Sequence, residues 1–302
     1  LLVLPMAVSL LYGERCALSF ALTIVLAVVT GSLLCLLCRG GRGTSSIKDG
    51  FMIVALAWIV LSAIGALPFV FSKEIPSYID AFFETVSGFT TTGATILADV
   101  EALSRGVLFW RGFTHWIGGM GILVFVVMLV NTPDRSINIL KAEMPGPTVD
   151  KLVPKSKDTA RTLYIIYTAL TALEVIFLLL GGMSLFDSVV HALSTAGTGG
   201  FGAYNASAAN FSPYIQWVLT VFMFLFAINF NLFYLILLGR MRDVFRNTEF
   251  RVYLAIVLVS VAVITAEIMP LYRTFSDSLR QAAFQVASVI STTGFITADF
   301  TV

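Results

Sequence analysis

Three stretches of this chain end in the same arrangement of small hydroxyl residues and glycine. The first carries Ser87, then Thr90, Thr91, Thr92 and Gly93; the second Ser194, then Thr198, Gly199 and Gly200; the third Ser288, then Ser291, Thr292, Thr293 and Gly294. With the three final glycines in one column, Ser87, Ser194 and Ser288 coincide, and so do Thr91, Thr198 and Thr292. The shared pattern is Ser-x-x-x-Thr-x-Gly, recurring about every hundred residues, and an internal repeat of this kind sets the architecture. The chemistry it suits is dehydration of a cation: backbone carbonyls ranged round a narrow passage take the place of the ion's water. Carbonyls that all face one way need backbone angles that glycine reaches without a Cβ clash, while Thr and Ser add hydroxyl oxygens. No carboxylate lies within the loops, so discrimination would come from dipoles. The plainer alternative is that Thr-Thr-Gly merely ends a helix, glycine being common at that position. That reading suits one loop better than three in register. Gly199 stands where the other two loops have Thr92 and Thr293, which leaves the register of the second loop open by one residue.

The segments before these loops are too short to cross a bilayer. They are Tyr78–Phe89, Phe186–Ala196 and Ser278–Ile290, each of which as a helix reaches roughly half the ~30 Å hydrocarbon core. Each dips in and returns as irregular backbone, tolerated at that depth only where protein buries it or water reaches it. Their C-terminal dipole ends favour a cation near the midplane. Asp80 and Asp187 coincide at the half-helix starts, where a carboxylate suits free N–H groups. Glu84, His191 and Gln285 lie within the half-helices, near three residues before the shared serine. Polar groups at that depth are functional candidates, and bracing of the loops from behind is the favoured role.

Flanking the half-helices are runs long enough to span: 16–38, 51–71, 112–130, 162–182, 214–239 and 252–269, with 1–12 read as the tail of another. The fold expected is therefore an all-α integral membrane protein of repeated helix–half-helix/loop–helix units. Composition agrees: 58% of the 302 residues are hydrophobic and 12% charged, against about 25% charged in soluble domains. The net charge of +1 argues against a nucleic-acid partner, which would call for a basic face. Thirteen of the nineteen Lys and Arg fall in segments 39–50, 131–161 and 240–251. That bias places these segments in the cytoplasm and the loops outside; the other six, Arg15, Lys73, Arg105, Arg111, Arg273 and Arg280, read as belonging to the outer connections. The 131–160 loop, with Lys141, Lys151, Lys155 and Lys157, could also meet anionic lipid or a partner. Cys35 and Cys38, at a helix end with no βαβ context, read as packed or lipid-facing thiols.

At these loops the sequence resembles the TrkH branch of the TrkH/KtrB superfamily of potassium transporters. Phe109-Trp110-Arg111, the run His115 to Gly121, Lys141 to Pro147 with Lys151-Leu152, and Gly182 to Asp187 extend the likeness over essentially the whole chain. The resemblance implies a pore of four unlike units in one chain, a homodimer in the bacterial inner membrane, and K⁺ uptake under a cytosolic nucleotide-binding ring of the TrkA type. It implies a K⁺ filter of Thr90, Thr91, Thr92, Gly93, Thr198, Gly199, Gly200, Ser291, Thr292, Thr293 and Gly294, supported by Ser87, Ser194, Ser288, Glu84, His191 and Gln285. By the same likeness residues 1–39 are an accessory helix pair, 51–131 unit one, 132–159 a cytoplasmic linker, 160–240 unit two and 250–302 the start of unit three. The fourth unit, and with it the second half of the third, the family's intramembrane gating loop and a pore-facing Arg, has no counterpart in this sequence. The expectation is a piece of a longer protein that does not conduct alone. In related plant transporters a Ser at the first filter glycine accompanies Na⁺ permeation; Gly93 favours K⁺ by that analogy.

A coupled H⁺ or Na⁺ symporter is the alternative function, with Glu84 or Glu174 as the titratable group. An enzyme is not expected, since no nucleophile elbow or metal-ligand spacing is present. No cofactor is expected beyond K⁺ as the transported ion. Asn229 and Asn231, deep in the 214–239 span, either face the pore or join helices.

Overall fold

The computed structural model describes residues 1–37, 47–121, 156–272 and 274–298, and every regular element among them is a helix. The 131–160 loop up to residue 155, Cys38 and the Lys141–Pro147 motif lie outside the described residues. Among the described residues four helical spans are long and apolar enough to cross a membrane: Cys16–Leu37, Met52–Ser72, Arg161–Leu180 and Thr248–Leu271. Their apolar side chains point largely outward, with Leu18 67% and Val263 62% exposed. A surface of that kind is matched by lipid and not by water.

The chain forms two compact units. The first comprises Leu1–Thr90 and Ala94–Arg161. It contains α1 (Val3–Leu11), α2 (Cys16–Leu37), α3 (Ile47–Gly65), α4 (Leu67–Ser72), α5 (Tyr78–Phe89) and α6 (Arg105–Met120). Residues 1–12 thus supply a nine-residue helix. The span over 52–72 is broken at Ala66, where α4 restarts with proline in its first turn. Trp110 of α6 is 1% exposed and donates its Nε1–H to the carbonyl oxygen of Gly65 at 3.0 Å, which satisfies a group freed at that break. Glu14 accepts from the first N–H groups of α6, Arg105 at 2.8 Å and Gly106 at 3.0 Å. A carboxylate there satisfies orphan donors and suits the helix dipole.

The second unit is Thr162–Val302 together with Thr91–Gly93. Its helices are α7 (Ser156–Leu180, entering from the preceding segment), α8 (Leu185–Ala196), α9 (Pro213–Phe226), α10 (Phe230–Leu237), α11 (Met241–Arg246), α12 (Thr248–Ile268), a 3₁₀ turn (Met269–Leu271) and α13 (Phe275–Ile290). Two expectations need correction here. The run 214–239 is not one straight span: α9 and α10 meet at 88°. Asn229 makes the break by capping α10, its Oδ1 accepting from the N–H of Asn231 at 3.0 Å. The third half-helix starts at Phe275, not Ser278, because Thr274 caps it and Asp277 occupies its first turn.

The half-helices α5, α8 and α13 share one entry device. Ser77, Ser184 and Thr274 stand at the N-caps and accept from the N–H of Asp80, Asp187 and Asp277. The carboxylates therefore sit at the third helical position, where charge favours the dipole. α5 and α8 are twelve residues long, about 18 Å at helical rise.

Candidate functional site: three glycine-ended loops

The half-helices α8 and α13 end the same way. In α8 the N–H of Thr198 donates to the carbonyl of Thr195 at 2.9 Å and that of Gly199 to Ser194 at 3.0 Å. In α13 Thr292 donates to Val289 at 3.1 Å and Thr293 to Ser288 at 3.0 Å. This is the Schellman pattern, whose left-handed C′ residue is ordinarily glycine. Here C′ is threonine: Thr198 at φ +54° and Thr292 at φ +60°, with Thr91 at φ +55° in the same column of the first loop. A β-branched residue in that region is an outlier held by its surroundings; strain of this kind amounts to roughly 1–3 kcal/mol and collects at functional sites. The glycines come two residues later, so it is the threonine and not the glycine that stands at the helix stop.

Gly93, Gly200 and Gly294 also have positive φ, +76°, +78° and +84°, while the residues between, Thr92, Gly199 and Thr293, do not. Alternation of this sort turns successive peptide groups the same way, as in backbone nests, with N–H groups to one side and carbonyls to the other. Because Thr198 and Gly200 carry the positive angles, the second loop keeps the register of the other two despite Gly199.

The loops also meet. Thr91–Gly93 belongs to the second unit. A Cβ added at Gly93 would overlap the carbonyl oxygen of Gly199, and one at Gly200 would overlap that of Thr293. The glycines of the first two loops thus abut, in the next loop, the carbonyl of the residue before its own glycine. At Gly294 no described atom lies within 4 Å of the corresponding position.

Behind the loops the same column is filled three ways. Glu84, 1% exposed, takes Arg111 Nη2 at 2.8 Å and Nε at 2.9 Å. It also accepts from the Thr95 hydroxyl at 2.9 Å and the Ile96 N–H at 3.1 Å, so it grips the strand leaving Gly93. Arg111 is therefore a buried residue of α6 and not part of an outer connection, the role its charge suggested; α6 carries it because its position is paired. His191 donates Nδ1–H to the carbonyl of Asp187 at 2.8 Å and lies against Tyr204, Phe211 and Phe295. Its Nε2 makes no hydrogen bond among the described residues, nor does Oε1 of Gln285. The shared serines divide likewise. Ser194 and Ser288 donate to the carbonyls of Phe201 and Phe295, each at 2.6 Å, whereas the Ser87 hydroxyl has no partner among the described residues. Thr90 donates its hydroxyl to Val86 O at 2.7 Å, and Ser291 pairs its own with Thr293 at 2.7 Å.

One brace had no sequence signal. Ser207, a non-glycine at φ +49°, accepts from the Ile296 N–H at 3.1 Å, and Ala208 N–H donates to Ile296 O at 3.0 Å. Gln216 of α9 donates to Ala208 O, and Arg280 of α13 donates to Gln216 Oε1, both at 3.0 Å. The connection after the second loop is in this way tied to the exit of the third. Glu174 is fully buried with no hydrogen bond to either oxygen among the described residues; the nearby Thr195 hydroxyl donates instead to His191 O at 2.9 Å. Asn229 Nδ2 reaches the Glu249 carboxylate at 3.3 Å and so joins helices. Among the described residues no group of three or more His, Cys, Asp or Glu is placed to hold a metal ion.

The profile of the TrkH family, described as "Cation transport protein", matches residues 17–301. The chain belongs to the TrkH family. It is 38% identical over 303 residues to the Trk system potassium uptake protein TrkH of Salmonella typhimurium, and 37% identical over 304 residues to that of Escherichia coli K12. Each alignment covers 98% of this chain and 63% of the relative. The crystal structure of the potassium transporter TrkH from Vibrio parahaemolyticus superposes with a TM-score of 0.84 at 32% identity, over 98% of this chain and 62% of that one. This TrkH-family chain, a multi-pass membrane protein of helix–half-helix–helix repeats, thus spans a little under two thirds of the length of the relatives it matches.

Proposed function

We propose that the chain forms three of four sides of a K⁺ filter in a channel-like uptake protein. The filter residues are Thr90–Gly93, Thr198–Gly200 and Ser291–Gly294; Ser87, Ser194, Ser288, Glu84, His191 and Gln285 support them. The observation that carries this reading is the edge-to-edge contact of the loops, Gly93 on Gly199 and Gly200 on Thr293, each with the same alternation of backbone sign. Peptide oxygens so aligned replace an ion's hydration shell. Residues 1–39 serve as an accessory pair, 51–131 and 160–240 as units one and two, 132–159 as a linker and 250–302 as the start of unit three. Transport rather than catalysis is the activity, with the loops facing the outer side of the bacterial inner membrane. The complete protein works as a homodimer under a TrkA-like nucleotide-binding ring. Inward K⁺ movement is driven by the membrane potential, worth about 2.3 kcal/mol per charge at 100 mV.

Flux of K⁺, Rb⁺ and Na⁺ through the full-length protein tests the proposal. Gly93→Ser places a Cβ against the Gly199 carbonyl and is expected to lower K⁺ over Na⁺ discrimination at least tenfold, about 1.4 kcal/mol. Unchanged discrimination would defeat the carbonyl-filter assignment at that loop. Coupled symport has its titratable candidate in Glu174, since Glu84 is committed to Arg111, Thr95 and Ile96. K⁺ flux that stays indifferent to pH and Na⁺ in both the parent and Glu174→Gln removes it.

A further inference from the structure

The 88° bend between α9 and α10 turns α10 across the direction of α9, and the short α11 follows it after Gly239. Two contacts fix the depth at which this happens. Asn229, at the bend, reaches Glu249 in the first turn of α12, and the carbonyl of Phe224 accepts from the Tyr253 hydroxyl one turn further in, at 3.1 Å. The bend therefore lies where α12 enters the membrane, at the end remote from the glycine loops. Beyond the bend the side chains are sorted by face. In α11 Val244 is buried at 4% exposure, while Met241 and Phe245, four residues apart, share an outward apolar face with Phe245 58% exposed. Leu237 and Leu238 extend that face. Arg242 and Arg246, also four apart, share the adjacent face, and with Arg240 and Arg251 all four arginines are exposed. Among the described residues Arg240 alone of the four is in an ion pair, with Asp243.

A segment turned away from its span, with outward apolar side chains beside arginines, has the character of an interfacial anchor, its apolar face in the acyl boundary and its cations among headgroups. We propose that the α10–α11 elbow and the first turn of α12 bind anionic phospholipid headgroups of the leaflet on that side. Charge complementarity selects the class: four arginines oppose two carboxylates, Asp243 and Glu249, over residues 240–251, and guanidinium groups take phosphate bidentately. The exposed apolar side chains select a lipid over an acidic protein partner, since they need acyl chains beside the phosphates. The inference is independent of the filter assignment.

Native mass spectrometry of the full-length protein with added phosphatidylglycerol or phosphatidylethanolamine reads the preference directly. The parent is expected to retain phosphatidylglycerol about tenfold more strongly at low ionic strength, and less so as salt screens the arginines. Arg240→Gln, Arg242→Gln, Arg246→Gln and Arg251→Gln together bring the ratio near one, while the corresponding four Lys substitutions keep it. As a reading that needs no charge removal, Phe245→Trp fluorescence is quenched more by brominated phosphatidylglycerol than by brominated phosphatidylethanolamine. A parent without preference, a Gln variant that keeps it, or equal quenching by the two lipids overturns the proposal. The second of these is the outcome expected if the arginines serve a cytosolic protein.

Discussion

The first and second loops have the same backbone and opposite support. Behind the first, a buried ion pair grips the outgoing strand: Glu84 holds Arg111, Thr95 and Ile96, and Ser87 has no described partner. Behind the second, the serine does the holding through Phe201, and the column of Glu84 is taken by His191 in an aromatic box. The third loop follows the second in its serine and adds a tie to Ser207. A repeated backbone can thus be kept while the means of holding it diverges, because the angles at the loop tip need only that the strands on either side be fixed.

The largest effect should come from splitting the ion pair. Removing one partner of a buried pair leaves a stranded charge and costs about 3–5 kcal/mol. Arg111→Met or Glu84→Leu is therefore expected to lower the thermal midpoint steeply, and the double variant to recover much of the loss. A double variant no better than the worse single would mean that the Thr95 and Ile96 contacts, not the pairing, dominate. A smaller contrast separates the serines. Ser194→Ala and Ser288→Ala each delete a buried hydrogen bond, about 1 kcal/mol, whereas Ser87→Ala should be near neutral because its hydroxyl has no described partner. Equal losses at all three would erase the distinction between loops.

The smallest effects are in pH, and they oppose each other at two entrances. At Glu74, which accepts from the Ser104 N–H and hydroxyl, burial holds the carboxyl above the ordinary range, Ser104 opposes this and Glu14 adds to it. The folded chain holds that proton more tightly, so its contribution is present in acid and lost as pH rises through the raised value. At Asp277 the Thr274 hydrogen bond, helped by Arg280, holds the carboxyl below its ordinary value. That contribution is present above the ordinary range and lost as pH falls through the lowered one. Thermal midpoints between pH 3 and 7 should rise on the acid side relative to neutral less in Glu74→Gln than in the parent, and Asp277→Asn should remove part of the acid loss. The same slope in each variant as in the parent would deny both assignments.

Much of the architecture is legible in the sequence because it rests on period and position. Half-length apolar runs give α5 at both of its bounds and α8 to within a residue at its start, and the glycine column brings Gly93, Gly200 and Gly294 into corresponding places. The features that stay hidden depend on contacts between distant residues. Nothing local marks Thr91, Thr198 and Thr292 as left-handed, since threonine disfavours that region and only the surrounding loops impose it. Arg111 reads as one more outer charge unless Glu84, 27 residues earlier, is known to lie beside it. The break at Asn229 does carry a local sign, since asparagine is a preferred N-cap, but the long apolar run around it reads as one continuous span.

That Thr91–Gly93 packs with the second unit bears on how the chain is made. These residues leave the ribosome roughly a hundred positions ahead of the Gly199 carbonyl that borders them. At about 5–20 residues per second, their peptide groups wait some seconds for that neighbour, held meanwhile by α5 and by the clasp of Glu84 on the segment beyond. Insertion of the early helices must then tolerate an unfinished tip, and the meeting of the first loop with the second is a late event of biogenesis, timed by translation and not by the local sequence.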